Sequence, residues 1–342
     1  MTHSTRLASV SLDLDNVWSY LKTHGDDGWE LRPSYLATFV PYVLDVLEQE
    51  QLKITFFVVG ADAAIPEHGP VLKSLVQHGH ELGNHSFEHD PWMARYDRSR
   101  IEDEIARTEA AILAATGRRP IGFRGPGYAW SEALLEILSG RGYLYDASTL
   151  PTYLGPLARA YYFRTTRLSE AERRERAQLF GRLADGLRPA GAYSWKLPNG
   201  RTPLELPVTT FPVIKVPFHL SYLMYISRFS ERLMVGYLRA ALLACRLAGT
   251  QPSFLLHPLD LIDAKQEPRL AFFPGMDLSG ARNMALFRKV LRALGERYRL
   301  VAMSQHARSI LERPDLPTAS VLSGQPSVLR EPSAASRLTA EG

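Results

Sequence analysis

The stretch Leu7-Ala8-Ser9-Val10-Ser11-Leu12-Asp13-Leu14-Asp15-Asn16 reads as a β-strand that turns acidic only at its end. β-Formers alternate along it, and a period of two places Asp13 and Asp15 on one side. In an α/β protein the carboxyl ends of parallel strands carry the site, so both acids belong at its rim. Terminal aspartates also cap the loops and helices that come after strands, so the acids alone do not define a site.

Downstream residues make the strand the first of a series. A polar loop containing Gly and Trp (23–32) leads to a helix expected over 33–50 and a strand over 53–60. A helix is expected at 70–78, a short strand at 81–84, and a long amphipathic helix from Arg98 to Gly117, with the glycine at its C-cap. The run from Ile121 to Tyr128 predicts a strand entering a rigid turn, trailed by a helix over 131–140 and a strand over 143–147. Such strand–helix alternation predicts a parallel sheet, and at 342 residues with 45% hydrophobic content, a barrel.

Residues 152–203 are less regular and read as an insertion covering one side of the site, with a charged helix at 169–184 and a Pro/Gly-rich loop at 188–200. Leu206 to Ile214 is apolar but broken by prolines, too interrupted for a transmembrane helix. A helix at 231–248, the strand Ser253-Phe254-Leu255-Leu256, a helix at 280–295, a strand at 298–303 and a short helix to Arg313 complete a single domain over 1–313. From Pro314 to Gly342 the Ser/Pro/Ala-rich tail is too poor in apolar residues to pack and is expected to be disordered.

Cys245 is the sole cysteine, which excludes internal disulfides. The net charge of +4 comes without a Lys/Arg cluster interleaved with aromatics, so no nucleic-acid partner is expected. With no apolar segment before the first strand, a cytoplasmic location is the expectation. Arg232, Arg239 and Arg246 recur every seventh residue beside the apolar Leu233, Tyr237, Leu238 and Leu242. A solvated face over a buried one explains that stripe; the sharper expectation is contact with anionic head groups or a lipid-linked carrier at the inner face of the membrane.

The chemistry is concentrated in Gly83-Asn84-His85-Ser86-Phe87-Glu88-His89-Asp90. On a helical turn, two histidines four apart point at a single ion. Either early aspartate would complete the two-histidine, one-carboxylate set of hydrolytic zinc sites and leave the other carboxylate as a base. His78 and His80 suit a helix end or turn, His219 a satisfied core position, and Trp29 and Trp130 packing. Trp92, three residues past His89, is the tryptophan best placed to stack on a sugar ring.

Taken in order, Asp13-x-Asp15, His85-Ser86-x-x-His89, Arg124-x-Pro126 and Leu255-Leu256-His257-Pro258 resemble the successive motifs of the polysaccharide deacetylase family, the NodB-homology fold or carbohydrate esterase family 4. The resemblance covers about 7–305, and Gly142-Tyr143-x-Tyr145-Asp146-x-Ser148 and Leu206-Pro207-Val208 are similar to a cytoplasmic bacterial branch. It implies a distorted (β/α) barrel holding one divalent ion, zinc before cobalt, nickel or iron, that removes N-acetyl or N-formyl groups from an amino sugar or glycan precursor, free or nucleotide- or lipid-linked. That is a hydrolase of carbon–nitrogen bonds other than peptide bonds. Carried over by position, Asp15, His85 and His89 would hold the metal, Asp13 would be the base, Arg124 its partner and His257 the acid. The Gly127 amide would receive the oxyanion, with Tyr128 and Trp92 against substrate and Asp146 or Asp260 tuning His257.

The chain departs from that family in having Leu14 between its aspartates, which leaves base and ligand interchangeable by spacing, and in having Gly127 before Tyr128. A metal-free amidohydrolase of a small cyclic amide, or a silent carbohydrate-binding relative, are the competing functions. The intact Asp15, His85 and His89 set argues against the first, and the presence of both Asp13 and His257 against the second.

Overall fold

A computed structural model of the protein describes residues 6–321, apart from 167, 178, 180 and 274. Its strands are β1 (Leu7–Leu14), β2 (Thr55–Val58), β3 (Glu81–Asn84), β4 (Gly122–Phe123), β5 (Tyr145–Asp146), β6 (Tyr193–Lys196), β7 (Leu204–Glu205), β8 (Ser253–Leu256), β9 (Arg299–Val301) and β10 (Thr318–Ser320). They form one sheet in the order β10-β6-β7-β5-β4-β3-β2-β1-β8, with β9 also on β1. Every pairing is parallel except β6 with β7.

The sheet curls into a distorted (β/α) barrel, and the distortion lies at its seam. Past β7 the chain keeps bonding to its neighbour, Leu206 N–H to Asp146 C=O at 2.8 Å and Val208 N–H to Thr149 C=O at 2.9 Å. It then reaches β8 through Thr209 N–H to Ser253 C=O at 3.1 Å, answered by Ser253 N–H to Thr209 Oγ1 at 2.8 Å. These bonds close the ring β1-β2-β3-β4-β5-β7-β8. Pro207 and Pro212 carry no N–H for a regular ladder there, so the seam stays short.

Strand alternation sorts the interior. In β1, Val10, Leu12 and Leu14 pack outward with the helices Leu36–Gln49, Glu231–Leu247 and Gly280–Gly295, while Ser9, Ser11 and Asp13 point into the barrel. The helix Met303–Leu311 packs at the inner end with Phe57, Tyr145 and Leu206, and its His306 bonds Ser9 Oγ at 2.9 Å. That leaves the opposite end, where the strands finish, open for polar groups.

Several elements differ from expectation. A helix Val17–His24, capped by Asn16, precedes the expected loop and takes up its first two residues, and a further helix, Leu220–Ser227, precedes the one expected at 231–248. The strand predicted from Ile121 is only Gly122–Phe123, because the backbone turns at Gly125, where a Cβ would lie 2.0 Å from Ala129 O. The insertion holds a helix Gly155–Thr165, only Glu170–Glu175 of the expected charged helix, and β6 in place of a loop. It lies against the Val17–His24 helix, with Arg176 Nη1 donating to Thr23 O at 2.9 Å. The tail expected from Pro314 is ordered at its start, since Thr318–Ser320 pairs with β6. Residues 322–342 of that tail lie outside the described residues. No helix among the described residues is long and apolar enough to cross a membrane.

Candidate active site

Asp13 is the last residue but one of β1 and Asp15 lies just past the strand, both buried. Tyr35 OH donates to the Asp15 carbonyl, and Asn16 Oδ1 accepts from Val17 N–H at 2.9 Å, so the chain leaves the strand in one fixed direction. The histidines come directly after β3, but not on a helix. Ser86 and His89 have φ of 60° and 52°, and the segment is an irregular loop. Helical i, i+4 spacing therefore does not bring the two imidazoles together here.

Remote groups hold that loop. The buried Glu104 carboxylate, from the helix Arg98–Thr116, accepts Phe87 N–H at 2.7 Å and Glu88 N–H at 2.9 Å. Asn84 Oδ1 accepts Ser86 N–H at 2.9 Å, and Gly60 and Ala61 donate to Ser86 and Phe87 carbonyls at 2.8 and 3.0 Å. Lys22 Nζ reaches Glu88 O at 2.9 Å and Asp90 Oδ1 at 2.7 Å.

So held, the imidazoles converge on one oxygen. Asp15 Oδ1 is 3.2 Å from His85 Nε2 and 2.9 Å from His89 Nε2. His85 Nδ1 is 2.6 Å from the Arg124 carbonyl, which only accepts, so Nδ1 carries the hydrogen and Nε2 presents a lone pair when the ring is neutral. Burial alone would raise the Asp15 carboxyl, yet His89 and His85 hold it well below the ordinary carboxylate range. Burial likewise disfavours imidazolium at His85, but Asp13 and Asp15 raise it. With the His85 ring neutral, the Asp15 anion faces a nitrogen lone pair, and a positive charge between them turns that contact favourable.

A divalent cation fits that need. The three ligand atoms lie within 4.8 Å of one another. Tetrahedral zinc with bonds of about 2.0–2.1 Å sets neighbouring ligand atoms roughly 3.4 Å apart, close to the separations here. Carboxylate and imidazole also suit cobalt, nickel and iron.

The other carboxylate has different partners. Asp13 Oδ1 accepts from Arg124 Nη1 at 3.1 Å, while Oδ2 lies 3.9 Å from His85 Nε2 and 4.0 Å from His257 Nε2. Arg124 is fully buried, its guanidinium 4.6 Å from the Phe57 ring centre. This separates the two aspartates that spacing left interchangeable: Asp15 joins the histidine pair, and Asp13 stands between Arg124 and His257.

His257 caps a short turn after β8, its N–H donating to Asp260 Oδ2 at 2.8 Å and its Nδ1 3.8 Å from the same oxygen. Burial works against its imidazolium, but Asp260 first, then Asp13 and Asp15, raise it to about 9. Of the two acids expected to tune it, Asp260 therefore touches the ring. Asp146 does not: it is buried beside Glu205 and accepts from Ser148 Oγ.

Gly127 has φ of 58°, its neighbour Tyr128 has φ of 63°, and among the described residues no acceptor takes the Gly127 N–H. Tyr128 is half-buried, and burial together with Asp13 pushes its hydroxyl pKa up. Trp92 is not a free sugar platform: it is buried among Met93, Tyr96 and Ile101, with the Arg176 guanidinium 4.8 Å from its ring centre. His219 is buried as expected but not satisfied, with Nδ1 lacking a partner and its ring 6.0 Å from His257. Ser221, 3.2 Å from His257 Nδ1, was not anticipated; a serine inside an apolar run carries little signal. His80 serves the turn before β3, its Nδ1 accepting Ile54 N–H at 3.2 Å.

Residues 25–145 match the family model described as polysaccharide deacetylase. A chitooligosaccharide deacetylase of Bradyrhizobium sp. is 33% identical over 118 residues, 34% of this chain and 50% of that one. A peptidoglycan-N-acetylglucosamine deacetylase of Listeria monocytogenes is 32% identical over 111 residues, 32% of this chain and 22% of that one. The chain thus spans half or less of the length of these two relatives. A Mycobacterium smegmatis crystal structure, provisionally assigned as a polysaccharide deacetylase, superposes with a TM-score of 0.60 at 17% identity, covering 95% of this chain and 97% of that one. That similarity shows a shared fold.

Proposed function

We propose that this chain is a polysaccharide deacetylase, a reading supported by the match of residues 25–145 to that family's model, and that it hydrolyses the N-acyl group of an amino sugar in a glycan or glycan precursor, with a divalent metal ion as cofactor. The observation that carries this reading is the convergence of Asp15, His85 and His89 beside an Asp13 held by Arg124 and faced by His257.

Asp15, His85 and His89 would hold the cation, which when bound would supply the positive charge that brings water's ionisation from 15.7 to about 7. Asp13, oriented by its hydrogen bond from Arg124, takes the proton from the attacking water. As water adds to the acyl carbon, the carbonyl oxygen gains negative charge and accepts the Gly127 N–H. His257, held protonated by Asp260, gives its proton to the amide nitrogen as the carbon–nitrogen bond breaks. The products are a free amine and acetate or formate.

The test is metal content together with acetate and formate release from chitooligosaccharides, peptidoglycan fragments and other N-acylated amino sugars, comparing the native chain with Asp15→Ala. Loss of both metal and activity in the variant is expected. Full activity in Asp15→Ala, or activity untouched by chelation, would instead support the metal-free amidohydrolase of cyclic amides.

The finer form of the reading is a lipid-linked precursor met at the cytoplasmic membrane face. Exposed Leu233, Leu243 and Leu247 beside exposed Arg232, Arg239 and Arg246 support it. Failure of the purified protein to float with anionic liposomes removes that form and leaves the deacylase reading standing.

A further inference from the structure

A second pair of acids lies deeper in the barrel wall, outside the chemistry just described. Asp146 of β5 and Glu205 of β7 are register partners on adjacent parallel strands, and both are buried. Partners in such a pair project to the same face, so the carboxyl groups lie side by side. No arginine, lysine or histidine among the described residues forms an ion pair with either. Two buried like charges without a cation are costly, and one proton between them relieves the cost.

The hydrogen bonds say which acid keeps it. Glu205 accepts from three donors: Thr149 N–H at 3.0 Å, Thr149 Oγ1 at 2.7 Å and Trp195 Nε1 at 3.0 Å. That is the surrounding of an anion. Asp146 Oδ1 accepts from Ser148 Oγ at 2.5 Å, while Oδ2 is buried with no donor of its own. An oxygen without a donor beside a carboxylate is where a hydroxyl hydrogen belongs. In agreement, burial and then Glu205 raise the Asp146 carboxyl well above the ordinary range.

The pair reaches the candidate site through one hydroxyl. Ser148 Oγ, while donating to Asp146, accepts the Gly125 N–H at 2.8 Å. Gly125 lies between Arg124, whose carbonyl orients His85 and whose side chain holds Asp13, and the turn that presents the Gly127 amide.

We propose that Asp146 and Glu205 share a single proton and that the neutral Asp146, acting through Ser148, positions the Arg124–Gly127 turn. Asp146, Glu205 and Ser148 are positioning residues rather than catalytic ones. The consequence for turnover rests on the deacylase reading; the proton sharing does not.

Infrared difference spectroscopy in D2O separates the two. At neutral pH, subtraction of Asp146→Asn from the native protein should reveal the carbonyl stretch of one neutral carboxyl group. Asparagine reproduces the neutral acid, its oxygen accepting from Ser148 and its amide donating to Glu205. It should therefore keep what Asp146→Ala loses, a kcat at least about 10-fold higher at similar KM and similar zinc content. Ser148→Ala should lower kcat as Asp146→Ala does yet retain the carboxyl band, which also covers the case in which Asp146→Ala fails to fold. Absence of the band from the difference spectrum overturns the shared proton. Equal damage by Asn and Ala overturns the positioning role. If no substrate is turned over by any form, the band still decides the first point, and zinc-induced stabilisation of the Ser148→Ala protein, weaker or unchanged, decides the second.

Discussion

Replacing Asp260 by asparagine tests how the acid is kept charged. Asparagine retains an oxygen for the His257 N–H at 2.8 Å but removes the negative charge 3.8 Å from Nδ1. The imidazole stands at about 9 against an ordinary 6.5, with burial opposing the rise and Asp260 its largest source. That difference of about 2.5 units corresponds to roughly 3 kcal/mol at 1.36 kcal/mol per unit. The ring is 21% exposed, so screening trims the figure. A loss of about 1–2 units from the carboxylate is the working magnitude. Without Asp260 the imidazolium gives up its proton at lower pH, and a step needing that proton fails sooner as pH rises. The pH profile of kcat/KM should show its alkaline limb moved down by about 1–2 units, with activity about 5- to 50-fold lower at pH 9 and nearly native at pH 6.5. An alkaline limb that stays where it is would refute the assignment of His257 as an acid held charged by Asp260.

Zinc at about 100 times its dissociation constant should stabilise the native protein by roughly 2.7 kcal/mol, read as an upward shift in melting temperature that is absent in His89→Ala. Gly127→Ala should lower kcat by about 10- to 100-fold, because a Cβ at a φ of 58° would lie 2.8 Å from Pro91 Cβ and shift the turn; circular dichroism should show the fold retained. Arg124→Ala leaves buried Asp13 without its hydrogen-bonded cation and should cost about 3–5 kcal/mol in urea unfolding, with activity lost at every pH. Buried His306, depressed to about 3, lets the unfolded chain take up a proton first as the pH falls below 6.5. Between pH 7 and 5 it should therefore account for a loss of about 2 kcal/mol, which urea midpoints of His306→Gln should no longer show.

Period-two alternation in β1 is a local property, and it turns Ser9, Ser11 and Asp13 to one side whatever the strand packs against. The helices Arg98–Thr116, Glu231–Leu247 and Gly280–Gly295 were legible for the same reason, each having an apolar face and a local stop or cap. The ordered acids, histidines and arginine spread over β1, β3, β4 and β8 likewise declared themselves in the chain.

Register and loop closure are not local, and there the tertiary structure decided. His85 and His89 meet because Glu104 and Asn84 hold an irregular loop with two left-handed residues, not because of helical spacing. Asp15 rather than Asp13 faces the imidazoles because Arg124, more than a hundred residues away, occupies the other acid. Asp146 turned from the acid histidine to Glu205 because strand β7, invisible among its prolines, pairs beside it. Trp92 was claimed by the insertion's Arg176. A side chain's direction is set by the backbone around it, but its partner is set by which distant strand lies alongside, and a lone sequence carries the first kind of information without the second.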